Sequence, residues 1–192
     1  FALNAQGPMM APDLSLTVNS DRLLVAEREI TGLKLTATGK ADAANPAANV
    51  QLTGDVAGEV LQGSAVLATT NGKSAINGLL LSLGKNRISG DLALDEAFVP
   101  VGTVALDLPD IGPLAALALE KAEGDVRGTI TFSKTANGTN VAVNANAAAI
   151  SRVDISAKNA SIDALIANYL PAPVISANVL SRCGTSAATP YS

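Results

Sequence analysis

The side chains that most often carry out enzyme chemistry are nearly missing from this chain of 192 residues. It contains no His, no Trp and a single Cys, Cys183. His is the usual general base and the commonest metal ligand. Without it, Ser-His-Asp and Cys-His nucleophile systems are excluded, and one Cys cannot build a structural zinc site. We therefore predict that the protein is not an enzyme and that it uses no metal or other cofactor.

Carboxylates could still act in pairs, as they do in glycosidases. Asp91 and Asp95 share the outward parity of one alternating run, and Glu96 follows Asp95 directly. A sugar-binding cleft normally offers aromatic platforms, but only 3% of the residues are aromatic. We interpret these acids as solvated surface groups, and Cys183 as a free thiol in a polar C-terminal tail.

The glycines do not form a phosphate-binding loop, because no Gly-rich run leads into a Lys-Ser/Thr helix start. Gly63, Gly78 and Gly90 lie inside alternating runs instead. Two interpretations stay open for them. They are ordinary bulges or bends of a sheet, or they coil the sheet into a trough.

Composition and charge exclude several partners. Hydrophobic residues make up 48% of the chain and charged residues 16%, and the net charge is −4 with Lys and Arg scattered singly. Nucleic acid and anionic membrane surfaces require clustered cations, so neither is expected as a partner. No run reaches the roughly 18–20 apolar residues of a spanning helix. The chain starts at Phe1 without a signal peptide, so we expect it to be a fragment whose anchor or targeting signal lies outside it.

Strands dominate the sequence pattern. Apolar residues alternate with Ser, Thr, Asn or Asp, as in residues 14–18 and 104–108, and alternate side chains of a strand point to opposite faces of a sheet. Asn71-Gly72 and Asn137-Gly138 each separate two long runs and predict tight hairpins. The predicted fold class is all-β and mostly antiparallel: a long curved sheet or β-taco groove with an apolar interior, plus one or two short helices.

The two helices are predicted from short apolar patterns. Asp110 could cap a helix that ends near Lys121, and Ser161 could cap a second helix over residues 161–169. Both would close an end or line an edge of the sheet.

One domain accounts for most of the chain. We predict an irregular N-terminal segment over residues 1–12, one elongated β-groove domain over residues 13–180, and a flexible tail over residues 181–192. Weak internal repeats are predicted near residues 54–95 and 124–170, because Gly54-Asp55-Val56-Ala57-Gly58 and Gly124-Asp125-Val126-Arg127-Gly128 each precede a pair of alternating runs.

The apolar parity of these runs is the main candidate for function. It could be the core of a sandwich, covered by a second sheet, or an open groove filled by lipid acyl chains. The face is built from Leu, Ile, Val and Ala rather than aromatics, which favours the groove. The predicted lipid-facing residues are Leu79, Leu81, Leu83, Ile88, Leu92, Leu94, Ile130, Phe132, Val141 and Val143.

The texture of the chain over residues 13–180 resembles the TamB/AsmA-like family. Residues 101–114 followed by residues 123–128 resemble TamB sequences, as do residues 76–81 taken with residues 88–92. The resemblance rests on degenerate strands, the Gly-Asp-Val-x-Gly openings and short Leu-x-x-Leu inserts. It contains no catalytic residue that could be carried over.

This resemblance implies a location and a task. TamB/AsmA-like proteins are anchored in the inner membrane of diderm bacteria, and their long hydrophobic β-grooves cross the periplasm. The implied partners are phospholipid acyl chains and, through parts outside this chain, an outer-membrane barrel assembly protein. The alternative is a secreted or surface structural β-repeat protein, adhesin-like and without a lipid ligand.

Overall fold

A computed structural model of the protein describes residues 1–25, 28–42, 44–117, 120–135, 138–152, 155–169 and 173–182. It contains thirteen strands and one short helix in this part of the chain. The strands are β1 (Ala2–Gln6), β2 (Asp13–Val25), β3 (Arg28–Lys40), β4 (Ala47–Val56), β5 (Glu59–Thr70), β6 (Lys73–Leu83), β7 (Asn86–Leu94), β8 (Pro100–Leu108), β9 (Glu123–Gly124), β10 (Val126–Thr135), β11 (Gly138–Arg152), β12 (Ile155–Ala167) and β13 (Val174–Arg182). The helix is α1 (Gly112–Leu117).

All of these strands belong to one sheet. They pair antiparallel and in chain order from β1 to β8, and then through β10, β11 and β12 to β13, while β9 pairs with β11 beside this path. The predicted all-β, mostly antiparallel fold is confirmed. The order is a meander: most neighbouring strands are joined by short connections, whereas residues 109–125, which include α1 and β9, join β8 to β10.

The hairpin at Asn71-Gly72 joins β5 to β6 as predicted. Asn71 and Gly72 have φ values of 52° and 74°, the two positive values that a type I′ turn requires. For the second predicted hairpin, Asn137 lies outside the described residues. The strands on either side of it, β10 and β11, do pair, with Thr135 opposite Gly138.

One of the two predicted helices is present in shortened form. The helix expected from Asp110 to Lys121 is α1, and the Asp110 carboxylate accepts a hydrogen bond of 3.0 Å from the Gly112 amide. Residues 118 and 119 lie outside the described part of the chain. Among the described residues, no helix is long and apolar enough to cross a membrane.

The second predicted helix is wrong, because residues 161–167 belong to β12. Ile162 pairs with Ala145 and Ile166 with Val141 of β11, and the other side of β12 pairs with β13. Ile162, Ala164 and Ile166 also satisfy a period of two. Backbone hydrogen bonds to two neighbouring strands satisfy every polar group that a helix would satisfy internally, and tertiary pairing decided between the two patterns.

The predicted ends of the domain need correction. Residues 2–6 of the N-terminal segment, expected to be irregular, form β1 and pair in register with residues 13–17 of β2. At the C-terminus, residues 181 and 182 end β13, and residues 183–192 of the predicted tail lie outside the described residues, as does Cys183.

The two Gly-Asp-Val-x-Gly segments occupy different structural positions. Asp55 closes the turn between β4 and β5, where its carboxylate accepts a hydrogen bond of 2.8 Å from the Gly58 amide. Asp125 instead lies between β9 and β10, where its carboxylate accepts hydrogen bonds of 3.1 Å from the amides of Ala148 and Ala149 on β11. The same motif therefore forms a hairpin turn in one segment and separates two strands in the other.

The sheet is not covered by a second layer within the described part of the chain. The accessible surface of the whole chain is 12694 Å², against about 8,500 Å² expected for a compact monomer of its mass. Large side chains below 2% exposure are absent from the described residues. The core is a thin row of half-covered and buried aliphatic side chains along one face of the sheet.

Candidate functional site: an aliphatic trough

The strand register places all ten predicted lipid-facing residues on one face of the sheet. Residues paired across antiparallel strands share a face. Leu81 pairs with Ile88, and Ile88 pairs with Leu106. In the neighbouring row on the same face, Gly90 pairs with Val104, Val104 with Ile130, and Ile130 with Val143. We call this face the concave face. Its ten predicted members are Leu79, Leu81, Leu83, Ile88, Leu92, Leu94, Ile130, Phe132, Val141 and Val143.

A bulge in β6 keeps the apolar residues of that strand on the concave face. Ile76 pairs with Leu92 and Leu79 pairs with Gly90, so β6 has one residue more than β7 between these two pairs. Gly78 occupies the extra position with φ of 58°, a left-handed conformation that glycine adopts readily. Its amide donates a hydrogen bond of 2.6 Å to the Asp91 carboxylate. The bulge interpretation of Gly78 is confirmed, and Asp91 has a structural partner.

The concave face extends well beyond the predicted set. β12 adds Ile162 and Ile166, which the helix prediction had removed from consideration. The alternation in β2 to β4 and β8 was visible in the sequence, but only the register joins these strands, together with β1 and β5, to the same face. The additional aliphatic members are Leu3, Leu14, Leu16, Leu35, Leu52, Leu61, Leu67, Ile76, Val104, Leu106, Ile162 and Ile166.

The sheet curls toward this face at one end of the strands. Leu3 on β1, Leu67 on β5, Leu94 on β7 and Phe98 beyond it all line one cavity of 580 Å³. In a flat sheet, β1 and β7 would lie about 29 Å apart, six spacings of about 4.8 Å. They can share a cavity only because the sheet rolls over. We call this cavity the mouth of the trough.

Glycines on the concave face allow sharp bends between neighbouring strands. A Cβ atom at Gly90 would overlap the carbonyl oxygen of Thr103 on β8, and one at Gly128 would overlap the Asn144 carbonyl oxygen on β11. The neighbouring backbone occupies the space above these positions, so the sheet folds inward there. Gly63 differs, since a Cβ there would lie 3.2 Å from the Leu52 side chain. Of the three glycines singled out in the sequence, Gly78 makes a bulge and Gly90 a bend.

Some side chains on the concave face are buried and others are accessible. Leu83 and Leu92 retain 3% and 8% of their exposure. Leu67 and Leu81, on the same face, retain 38% and 37%. The face therefore stabilises the sheet with one set of aliphatic side chains and leaves a second set open to a ligand.

Few polar groups lie on the concave face, and one of them, the Asn86 side chain, is hydrogen-bonded within the protein. Asn86 is 3% exposed. Its amide nitrogen donates to the Leu83 carbonyl oxygen at 3.1 Å, and its side-chain oxygen accepts from the Asp110 amide at 3.2 Å. Thr139 Oγ1 and the Tyr169 hydroxyl are buried without a protein partner beside the edge-to-face contact of Tyr169 with Phe132.

Two of the carboxylates considered for acid–base chemistry, Asp91 and Asp95, have structural partners. Asp95 accepts hydrogen bonds from the amides of Ala97 and Val99 and from the Lys134 ammonium, at 2.8, 2.9 and 2.6 Å. The bond from Lys134, followed by the Val99 amide, lowers the pKa of Asp95. A glycosidase acid needs a raised pKa. No group of three or more His, Cys, Asp or Glu side chains able to hold a metal occurs in the described ranges.

The concave face offers a curved aliphatic surface with few polar groups that could orient a ligand. Ligand pockets usually measure about 300–1,000 Å³, are mainly apolar and carry a few polar groups for orientation. The mouth lies within that range, and its hydroxyl groups Thr69 and Ser74 bond to each other at 2.8 Å. No protein-family model, no curated protein sequence and no solved structure matches this chain.

Proposed function

We propose that this chain is a segment of a TamB/AsmA-like periplasmic protein whose trough shields phospholipid acyl chains between the inner and outer membranes of a diderm bacterium. One observation carries the proposal. An aliphatic face of a single sheet keeps accessible side chains such as Leu67 and Leu81 without a second sheet above them in the described part of the chain. Surfaces of this kind mark binding sites for apolar partners.

The energetics suit transport rather than tight storage. Burying one methylene group contributes about 0.8 kcal/mol, so ten methylenes of an acyl chain contribute about 8 kcal/mol. Association costs about 4–15 kcal/mol in lost freedom, and only the surplus appears as affinity. A trough without directed polar contacts therefore binds a chain weakly enough for it to move along. An outer-membrane barrel assembly protein would be reached through parts outside this chain.

Two adjacent residues of β5 provide a matched test. Leu67 lies on the concave face and lines the mouth, whereas Val66 points to the opposite face. Their exposures are nearly equal, 38% and 40%. Protein purified from a diderm host is examined by native mass spectrometry for bound phospholipid. We expect the wild type and Val66→Arg to carry lipid, and Leu67→Arg to lose it, because a guanidinium in the mouth leaves a charge against hydrocarbon.

The alternative, an adhesin-like structural protein without a lipid ligand, predicts a different result. All three proteins would then be free of lipid, and delipidated wild type would not take up a fluorescent fatty acid. Equal lipid content in Leu67→Arg and Val66→Arg would also contradict the trough, because binding would then not depend on the face.

A further inference from the structure

The loop between β7 and β8 places an aromatic residue where hairpins of its kind normally have glycine. The Phe98 amide donates a hydrogen bond of 2.9 Å to the Asp95 carbonyl oxygen, and the Asp95 amide donates one of 3.1 Å to the Val99 carbonyl oxygen. This pattern is a type I turn followed by a residue in the left-handed region. That residue is Phe98, with φ of 60°. The other non-glycine residues with positive φ in the described chain are three Asn and one Ala, so Phe98 is the only bulky side chain among them.

Hydrogen bonds to one carboxylate hold the loop in this conformation. The Asp95 carboxylate accepts bonds from the amides of Ala97 and Val99 at 2.8 and 2.9 Å, and from the Lys134 ammonium at 2.6 Å. Both β7 and β8 are paired with a strand on each side, so the loop does not belong to an outer edge of the sheet. Strained residues persist where surrounding contacts over-determine them, and they cluster at binding and catalytic sites.

Packing within the protein does not explain why Phe98 is held there. Phe98 is 72% exposed, so its ring contributes little to the core. Phe98 nevertheless lines the mouth of the trough, as do Leu67 and Leu94. Most of the other lining side chains are Leu and Ala, and Phe98 is the only aromatic residue among the described residues that line the mouth. A residue that breaks a local rule without stabilising the fold indicates a functional position.

We propose that Phe98 recognises the acyl chain in the mouth: the loop holds its ring over the cavity, and a bound chain buries the exposed ring surface. This inference rests on the proposed function, because it names a recognition residue for the same ligand. Since the loop is already fixed by Asp95, binding does not have to order it, and more of the contact energy appears as affinity.

A slender apolar chain fits this position better than a protein partner does. The mouth measures 580 Å³, which is the size of a small-molecule pocket. A stable protein interface buries about 1,200–2,000 Å² over a broad surface, whereas the exposed part of Phe98 is a single side chain at a loop tip. The hydroxyl groups of Thr69 and Ser74 in the mouth are hydrogen-bonded to each other, so the ligand does not have to satisfy them.

The variant Phe98→Asn separates a ligand-binding ring from a structural one. Asn tolerates the left-handed conformation, and the loss of an exposed ring removes little packing. We expect the urea unfolding midpoint to equal or exceed that of the wild type. The affinity of the delipidated protein for a fluorescent fatty acid should fall about fivefold to tenfold, because about 50 Å² of ring surface no longer covers the chain. Phe98→Leu keeps most of the apolar contact and should bind within about twofold of the wild type.

Ala57 provides the matched control. It lies in the turn between β4 and β5, at the opposite end of the strands from the mouth, with φ of 55°. Ala57→Asn relieves the same kind of backbone strain and should also keep or raise the unfolding midpoint. Its affinity for the fatty acid should equal that of the wild type, because Ala57 does not line the mouth.

The outcomes separate this proposal from the proposed function. A wild type that binds no fatty acid contradicts both. Equal affinity in the wild type and Phe98→Asn overturns the role of Phe98 alone and leaves the trough as a binding site. A clear fall in the unfolding midpoint of Phe98→Asn also overturns the proposal, since the ring would then support the fold. So does an equal loss of affinity in Ala57→Asn, because the effect would not depend on the mouth.

Discussion

The bulge at Gly78 offers the sharpest test of how the trough is built. A Cβ atom at Gly78 would meet no other atom within 4 Å, so Gly78→Ala introduces no clash. Its cost comes from holding a non-glycine residue at φ of 58°, which is about 1–2 kcal/mol. For a chain of this size, each kcal/mol lowers the melting temperature by about 2–4 °C. Asn tolerates this conformation better than Ala, so Gly78→Asn should recover part of the loss.

The partner of the bulge gives a second, independent measurement. Asp91→Ala removes the acceptor of the 2.6 Å hydrogen bond from the Gly78 amide and should cost about 0.5–1.5 kcal/mol. Asp91→Asn keeps a neutral acceptor and should cost less. Since the two residues form one contact, the effects of Gly78→Ala and Asp91→Ala should not add in a double-mutant cycle.

Urea unfolding of the four single variants and the double variant measures these differences. The reasoning would be refuted if Gly78→Ala were as stable as the wild type, or if Gly78→Asn lost as much as Gly78→Ala. Deletion of Gly78 removes the extra residue of the bulge. Ile76 would then lie two residues before Leu79 and stay on the concave face of a regular strand, so we expect this variant to lose the contact with Asp91 and to keep its bound lipid.

Three further predictions concern the frame of the trough. Gly90→Ala places a methyl group against the Thr103 backbone and should destabilise by about 1–3 kcal/mol in urea unfolding. Gly63→Ala should cost less, because the nearest atom there is the Leu52 Cβ at 3.2 Å and not an overlapping backbone oxygen; equal losses would contradict the bend. Asp95 has a lowered pKa because of Lys134 and the Val99 amide, so its contribution is complete above the ordinary pKa of about 3.9 and is lost as pH falls below it. Asp95→Asn should therefore flatten the acid limb of stability against pH, and an unchanged acid limb would exclude this role. Asp125→Ala frees the amides of Ala148 and Ala149, so their hydrogen exchange should accelerate relative to Ala145, whereas uniform exchange would show that the carboxylate does not protect them.

The sequence predicted the fold correctly where a local pattern was compatible with only one kind of secondary structure. The long alternating runs and Asn71-Gly72 predicted hairpins that the structure contains. The prediction failed where the same residues were compatible with both a helix and a strand. Residues 161–167 satisfy both a short amphipathic helix and a strand, and pairing with β11 and β13 selected the strand. Residues 2–6 carry too short a pattern to predict β1 without its partner β2.

The candidate site divides in a similar way. Parity within single strands was enough to select the ten apolar residues, because the side-chain period of a strand is two, and the pairing register placed them on one face. Parity cannot show which strands share a face, since a single bulge reverses it. The pairing register joined β1 to β5 and β12 to the same surface, and the Gly78 bulge kept Ile76 on it.

The amino-acid sequence by itself determined the strand class, the meander and the aliphatic character of one strand parity, because these depend on residues close together along the chain. Only the tertiary structure decided that all described strands form one sheet, that the sheet rolls toward its apolar face, and that accessible side chains remain there. The reason is physical: curl and coverage depend on where the backbone of one strand lies relative to another, as at Gly90 and Thr103.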